Sequence, residues 1–243
     1  MSIASSIDPL GLYAAAMDTS DYVEVVVPVV RTMAPAFRSL LDVGAGGGQL
    51  GNGLRDAGAP WTTIEPSALM QQRLALFPSP PAIIPSGWMD AEIAAGSHDL
   101  VLAATMPALF EQPEALLDRC LRWARHAVTW VVPAQNGPKG LILAGCLPSA
   151  WHGEDETPGI ELTLSRLPRS RHPERMAFAE WTFSAIVPDI AAIASFLAGR
   201  LGWTEGDGRR PELLNHLRRQ AKPDPAGHRL DIPRKSAILT WSI

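Results

Sequence analysis

Short apolar runs and amphipathic stretches alternate along the first half of the chain. Leu40-Leu41-Asp42-Val43, Trp61 to Ile64, Ala82 to Ile84, Asp99 to Ala104 and Val128 to Val132 each read as a strand buried on both faces. Between them, Gln49 to Ala57, Ser67 to Leu76 and Glu111 to Arg125 can be helical. Ser67 supplies an N-cap for the second of these helices, and Pro78-Ser79-Pro80-Pro81 stops it. Strands that alternate with helices predict an α/β architecture with a mostly parallel sheet.

The flanks are less regular. Residues 8 to 36 precede the first strand, and the apolar stretch from Tyr22 to Met33 predicts a helix, although Val25-Val26-Val27 is β-prone and Pro28 belongs near a turn. After the fifth strand, residues 138 to 176 hold a short apolar helix candidate. Then come Trp151-His152-Gly153-Glu154-Asp155-Glu156-Thr157-Pro158-Gly159 and an arginine-rich stretch from Arg166 to Pro173. Insertions of this length in a compact domain are commonly functional. Ala177 to Val187 reads as a strand, Pro188-Asp189 opens an alanine-rich helix to Leu201, and Pro211 to Gln220 makes another helix. Ser236 to Ile243 reads as one arm of an antiparallel edge hairpin.

At 243 residues with 47% hydrophobic composition, the chain suits one large domain, or a domain with a lid, and can bury a sizeable core. No apolar run reaches the 18 or so residues of a membrane span, and Met1 to Ser6 lacks a basic signal-peptide start, so a cytoplasmic protein is expected. Cys120 and Cys146 lack C-x-x-C spacing and sit in apolar helical contexts, which predicts two buried thiols and no metal site. Charge is uneven: residues 1 to 165 balance to −9 and residues 166 to 243 to +5. The positive part could meet a phosphorylated or carboxylated substrate or RNA. No RNA-binding module is present, the net charge is −4, and solvated faces account for Arg209-Arg210 and Arg218-Arg219.

The most informative stretch is Leu40 to Leu50, where a buried strand runs into Gly44-Ala45-Gly46-Gly47-Gly48. A strand, a turn of glycine backbone and a helix N-terminus together present N–H groups to a polar ligand with no side chain in the way. Gly46, Gly48 and Gly51 fit G-x-G-x-x-G, and Glu65 ends the next strand where a ribose-binding acid belongs, which suits a dinucleotide. Asp42 argues the other way. A carboxylate two residues before the first glycine repels phosphate but can organise the loop and attract an ammonium group.

Leu41-Asp42-Val43-Gly44-Ala45-Gly46-Gly47-Gly48 resembles motif I of the class I S-adenosylmethionine-dependent methyltransferases. Thr63-Ile64-Glu65-Pro66-Ser67 resembles the second-strand acid of that family, and His98 to Ala104 its fourth strand; the likeness spans residues 36 to 133. It implies a Rossmann-like three-layer αβα sandwich on a seven-stranded, mostly parallel sheet with an antiparallel C-terminal edge strand. To this are added an N-terminal cofactor-covering segment, 1–36, and a lid or pocket insertion, 138–176, within a single domain, 37–243. It further implies that Asp42, Gly44, Ala45, Gly46, Gly48 and Leu50 cradle the cofactor, that Glu65 accepts from both ribose hydroxyls with Pro66 beside it among the cofactor-binding residues, and that Gly87 and Trp88 lie by the adenine. Many family members carry an acid after that glycine, where this chain has Trp88 and only later Asp90.

Ala103, Ala104, Thr105 and Met106 stand at the C-terminal end of the fourth strand, where ligands of open α/β sheets sit. Tyr13, Tyr22 and Trp151 are the candidate walls of an acceptor pocket, each with ordinary packing as the alternative. Methyl transfer demands alignment and desolvation above all, with a base only for an acceptor that must lose a proton. His152, in a glycine-flanked loop beside Glu154-Asp155-Glu156, is the candidate base. Three readings follow: a methyltransferase acting on a small molecule, a nicotinamide-dependent oxidoreductase, which Asp42 and the lack of a Tyr-x-x-x-Lys pair oppose, and a non-catalytic cofactor-binding protein. No metal, membrane or nucleic-acid partner is expected.

Overall fold

The structure, a computed structural model, describes residues 7–137 and 143–243. The start of the N-terminal segment, and the helix candidate expected from residue 138, fall partly outside the described residues. Helix α1, Pro9–Thr19, begins where Pro9 presets the first turn and the Asp8 carboxylate accepts from the N–H groups of Leu10 and Gly11, both at 3.1 Å. Helix α2, Tyr22–Met33, forms as expected in spite of its β-branched run. Tyr22, Val26, Val30 and Met33 make one buried stripe, and packing of that stripe outweighs propensity. Pro28 sits inside the helix on its exposed side, where water can serve the Glu24 carbonyl that loses its helical donor.

The next elements are β1 (Leu40–Val43), α3 (Gln49–Leu54), β2 (Trp61–Ile64), α4 (Ala68–Leu74), β3 (Ala82–Ile84), β4 (His98–Ala104), α5 (Ala108–Glu111), α6 (Pro113–Trp123) and β5 (Ala124–Pro133). Ser67 caps α4 by accepting from Met70 N–H. Beyond β5 come α7 (Ser149–His152), α8 (Gly159–Arg166), β6 (Arg175–Val187), α9 (Ile190–Arg200, capped by Asp189), α10 (Arg209–Gln220), β7 (Lys222–Asp224) and β8 (Gly227–Ser242).

The strand order is β3-β2-β1-β4-β5-β8-β6, with β7 paired to β8. β1 to β5 pair in parallel, and β8 runs antiparallel to β5 with Val131 opposite Ile238. The C-terminal strand is thus antiparallel in a mostly parallel sheet as expected, but it lies inside the sheet and not at its edge, because β6 pairs on its other side. Among the described residues there are eight strands instead of seven because the chain makes a short hairpin, β7–β8, whose turn carries Gly227 at φ 134°. A Cβ there would stand 2.4 Å from the Val187 carbonyl oxygen, so no larger residue fits without moving backbone.

Two compact units divide the chain. One comprises Tyr22–Gln135, Thr157–Trp181 and Arg234–Ile243. Its core joins Leu41 and Val43 of β1, Val101 and Ala103 of β4, Val128, Trp130 and Val132 of β5, and Leu239 and Trp241 of β8 to Leu116, Leu117, Cys120 and Trp123 of α6. Burial lifts the Cys120 thiol to a pKa of about 12, which leaves it an inert core group. The other unit comprises Met1–Asp21, Asn136–Glu156 and Thr182–Pro233. There Ser20 and Asp21, just past α1, accept from the N–H groups of Ser184 and Thr182 on β6, while Leu213 and Leu217 of α10 are buried, as are Ile193 and Leu197 of α9. The division falls between Asp21 and Tyr22, inside the segment 1–36, and groups α1 with late segments of the chain and α2 with β1 to β5. Cys146 is only half-buried, contrary to the expectation of two buried thiols. It lies in a 3₁₀ turn, Ala144–Cys146, whose last carbonyl accepts from His216 Nε2 at 2.6 Å.

Candidate functional site

All four residues of β1 are buried, and the chain leaves the strand through Gly44 at φ 66°, Gly46 at φ 56° and Gly48 at φ 78°. Three left-handed residues in five positions make a turn that side chains with a Cβ rarely adopt. The glycines differ in what surrounds them. Gly44 lies against the Met106 thioether, 3.1 Å from where its Cβ would be, and Gly48 is packed under Leu74, Phe77 and Trp61. At Gly46 a Cβ would meet no described atom within 4 Å. The loop is therefore closed on two sides and open at Gly46, which is where a ligand can approach the backbone.

Hydrogen bonds tie the loop to β2 and to itself. Gly44 N–H donates to the Ile64 carbonyl at the end of β2, and Gly48 N–H to the Ala45 carbonyl. The Glu65 carboxylate, only 6% exposed, accepts from Gly46 N–H through Oε2 and from Ser67 N–H through Oε1, each at 2.8 Å. Glu65 therefore fastens the glycine loop to β2. A carboxylate has about four acceptor positions, so two remain after these bonds.

Asp42 is buried beneath this loop at 3% exposure. Loss of water, and then the Glu65 charge, raise its pKa from 3.8 to about 7. Its carboxylate occupies a notch in α3: a Cβ on Gly51 would come 2.2 Å from Asp42 Oδ2. The third glycine of the G-x-G-x-x-G pattern is thus a packing glycine that makes room for an acid, and only the folded chain shows this.

Ala103 is fully buried and belongs to the core, whereas Ala104, Thr105 and Met106 are partly exposed at the C-terminal end of β4. Thr105 has φ 52°, an uncommon conformation for a β-branched residue, and its N–H donates to the Val131 carbonyl at 2.9 Å. Such backbone strain clusters at binding sites. Leu50 is buried in the first turn of α3, and Pro66 is exposed between Glu65 and Ser67. Gly87 and Trp88 open a turn after β3 in which the Gly87 carbonyl accepts from Asp90 and Ala91, and Trp88 packs partly on the core. Tyr22 is buried with its ring 4.6 Å from that of Trp181, whose indole N–H donates to Ser236 Oγ, so both aromatics serve packing.

The remaining candidates lie in the other unit. Tyr13 stacks on Phe183 at 6.0 Å. Trp151 meets the rings of Trp203 at 5.9 Å and His216 at 5.2 Å, neither of which its sequence neighbourhood announced. The His152 side chain is 2% exposed, with Nε2 3.4 Å from Glu156 Oε1 and Nδ1 accepting from Glu154 N–H at 3.3 Å. His152 ends α7 instead of lying in a loop as expected, and these contacts assign the proton to Nε2 and hold the ring against the segment that follows the helix. Among the described residues no three His, Cys, Asp or Glu side chains gather as metal ligands, and no helix is long and apolar enough to cross a membrane.

A sheet of this order, with the glycine turn after β1 and an acid ending β2, is the Rossmann-like α/β fold of the class I methyltransferases. Solved structures share it over nearly their whole length. One assigned as a type II methyltransferase of Anaeromyxobacter dehalogenans has TM-score 0.52 and 18% identity over 88% of this chain and 93% of its own. One assigned as a methyltransferase of Bacillus halodurans C-125 has TM-score 0.51 and 8% identity, covering 89% and 97%. One assigned as a methyltransferase of an antibiotic biosynthesis pathway in Anabaena variabilis has TM-score 0.50 and 15% identity, covering 89% and 96%. No protein-family model and no curated protein matches the sequence.

Proposed function

We propose that this protein is an S-adenosylmethionine-dependent methyltransferase that acts on a small-molecule acceptor. The observation that carries the reading is the joint geometry of Gly46 and Glu65: an open position on a left-handed glycine, bonded at 2.8 Å to a buried carboxylate that ends β2. Glu65 is suited to accept from both ribose hydroxyls through its remaining lone pairs, Gly44 to Gly46 let the ligand reach the backbone, and Pro66, Gly87 and Trp88 are the candidates on the nucleoside side. The cofactor supplies a methyl group activated by a sulfonium. Asp42 and Glu65 place two carboxyl groups at the cradle, which favours a ligand of net positive charge over the phosphate-bearing dinucleotide of the oxidoreductase reading.

Alignment is then the main task of the protein. Ala104, Thr105 and Met106, with small or adaptable side chains at the end of β4, are the candidates to border the reacting methyl group. His152 enters as candidate base through its chemistry, and to take a proton at Nδ1, the acceptor nitrogen of its neutral ring, it must first give up the Glu154 N–H. His152→Ala is expected to lower turnover with an acceptor and leave cofactor affinity unchanged; equal turnover in steady-state assays removes His152 from the reaction.

Titration calorimetry with S-adenosylmethionine, S-adenosylhomocysteine and NADH tests the reading. Binding of the first two and not the third is expected, and Glu65→Ala should weaken both by about ten- to 150-fold, the loss of hydrogen bonds to a charged group worth about 1.5 to 3 kcal/mol. NADH binding without S-adenosylmethionine binding would favour the oxidoreductase, and unchanged affinity in a folded Glu65→Ala protein removes the ribose assignment. A methyl-acceptor screen separates the enzyme from a non-catalytic binding protein.

A further inference from the structure

Beneath the glycine loop lies a polar seam that the fold alone does not require. Asp42 of β1 is in register with Thr63 of the parallel neighbour β2, and Trp61 stands two residues earlier on that strand. In a parallel pair these three side chains project from one face of the sheet. It is the face under Gly51 of α3, where Asp42 Oδ2 and Trp61 Nε1 both converge, at 2.2 and 3.0 Å from the missing Cβ. Trp61 Nε1 and Thr63 Oγ1 are buried and have no hydrogen-bond partner among the described residues. An indole N–H can only donate, and a hydroxyl can donate or accept, so two donors stand on the same face as a buried carboxyl. Buried polar groups left unpaired are uncommon and call for an explanation.

The charged surroundings of Asp42 are sparse. Among the described residues Glu65, at the end of β2, is the ionisable group that acts on it. Residues Gln49–Leu54 of α3 contribute none, Arg55 beyond that helix is stacked over the Trp61 ring at 4.9 Å, and the β4 residue in register is Leu102. A second negative charge therefore forms here against burial and against Glu65, with Trp61 and Thr63 as donors able to receive it. A cation in the cradle would favour that charge, and the charge would favour the cation, by reciprocity of linked binding.

We propose that Asp42 is a charge-specificity determinant of this site, its ionised form favouring a ligand of net positive charge, S-adenosylmethionine, over the demethylated product, which lacks the sulfonium charge. The inference rests on the reading of the glycine loop as the cofactor cradle. Trp61 and Thr63 act as positioning residues for the ionised carboxylate. Because the carboxyl titrates with a pKa of about 7, preference for cofactor over product grows as pH rises through neutrality, which limits product inhibition in the same range. The relevant comparison is the ratio of the two dissociation constants, since effects common to cofactor and product cancel in it.

Calorimetry with both ligands on the native protein, from pH 6 to 8.5 and in two buffers of different ionisation enthalpy, is the test. The product-to-cofactor ratio of dissociation constants should rise by on the order of fivefold to tenfold across that range, as expected for one added charge acting through a partly screened site. Near neutral pH, cofactor binding should release more protons to buffer than product binding. Asp42→Asn should flatten the ratio and abolish the difference in proton release. A flat ratio in the native protein, with both ligands bound, overturns this inference and leaves the cofactor assignment standing. Absence of binding by either ligand overturns both.

Discussion

Gly46→Val is expected to abolish cofactor binding, lowering affinity by more than about 100-fold, while the chain stays folded. Gly46 sits at φ 56° with no described atom within 4 Å of its Cβ position, so valine meets little protein but fills the space the ligand needs. The left-handed backbone adds roughly 1 to 3 kcal/mol of strain for a β-branched residue, less than the total stability of an ordinary domain at about 5 to 15 kcal/mol. Relief of that strain by rotating the turn would pull Gly46 N–H from Glu65 Oε2 and loosen the loop from β2. Calorimetry paired with urea unfolding measures both parts of the expectation. Near-native titration in the variant shows that the ligand does not use this face of the loop.

Asp42→Asn is expected to stabilise the cofactor-free protein near neutral pH and to change little near pH 4. The pKa of Asp42 is about 7 in the folded chain against 3.8 for the unfolded reference, so the native state holds this proton more tightly. As pH rises from about 4 to 7, the unfolded chain loses the proton first, and the native protein is progressively destabilised; above pH 7 the effect levels off. The full difference is on the order of 4 kcal/mol, and the amide, which never ionises, escapes it. A gain of roughly 10 °C in melting temperature at pH 7.5 is consistent with a chain of this size. Thermal or urea denaturation of both proteins from pH 4.5 to 8 isolates the residue, because other titrating groups are common to the two. Parallel stability profiles show that Asp42 ionises in the native state as easily as in the unfolded one. A stabilising substitution at the cost of ligand discrimination is the pattern expected of a site strained for binding.

Much of this was legible along the chain. The apolar runs at 40–43, 61–64, 82–84 and 99–104 became β1 to β4 within a residue, because strands covered on both faces leave continuous apolar signatures. The turn at Gly44 to Gly48 was equally visible, since left-handed backbone selects glycine whatever surrounds it. Glu65 was found by its place at the end of the next strand, and parallel register brings that strand end beside the glycine turn.

Contacts between distant segments escaped the sequence. The same glycine symbol covers three environments, with Gly46 open, Gly48 packed and Gly51 making room for Asp42, and only neighbours from other elements separate them. Ala103 and Tyr22, expected at ligand surfaces, proved to be buried because the opposing β5, α6 and Trp181 cover them. Trp151 found Trp203 and His216 across more than fifty residues of chain, and β8 took its place between β5 and β6 although no local pattern orders strands in a sheet. Sequence by itself determined which backbone conformations and which buried runs were possible, because those depend on each residue and its immediate neighbours. The tertiary structure decided which side chains lose their water and what they face, and hence that Asp42 titrates near neutrality, because desolvation and charge proximity belong to the folded arrangement of atoms.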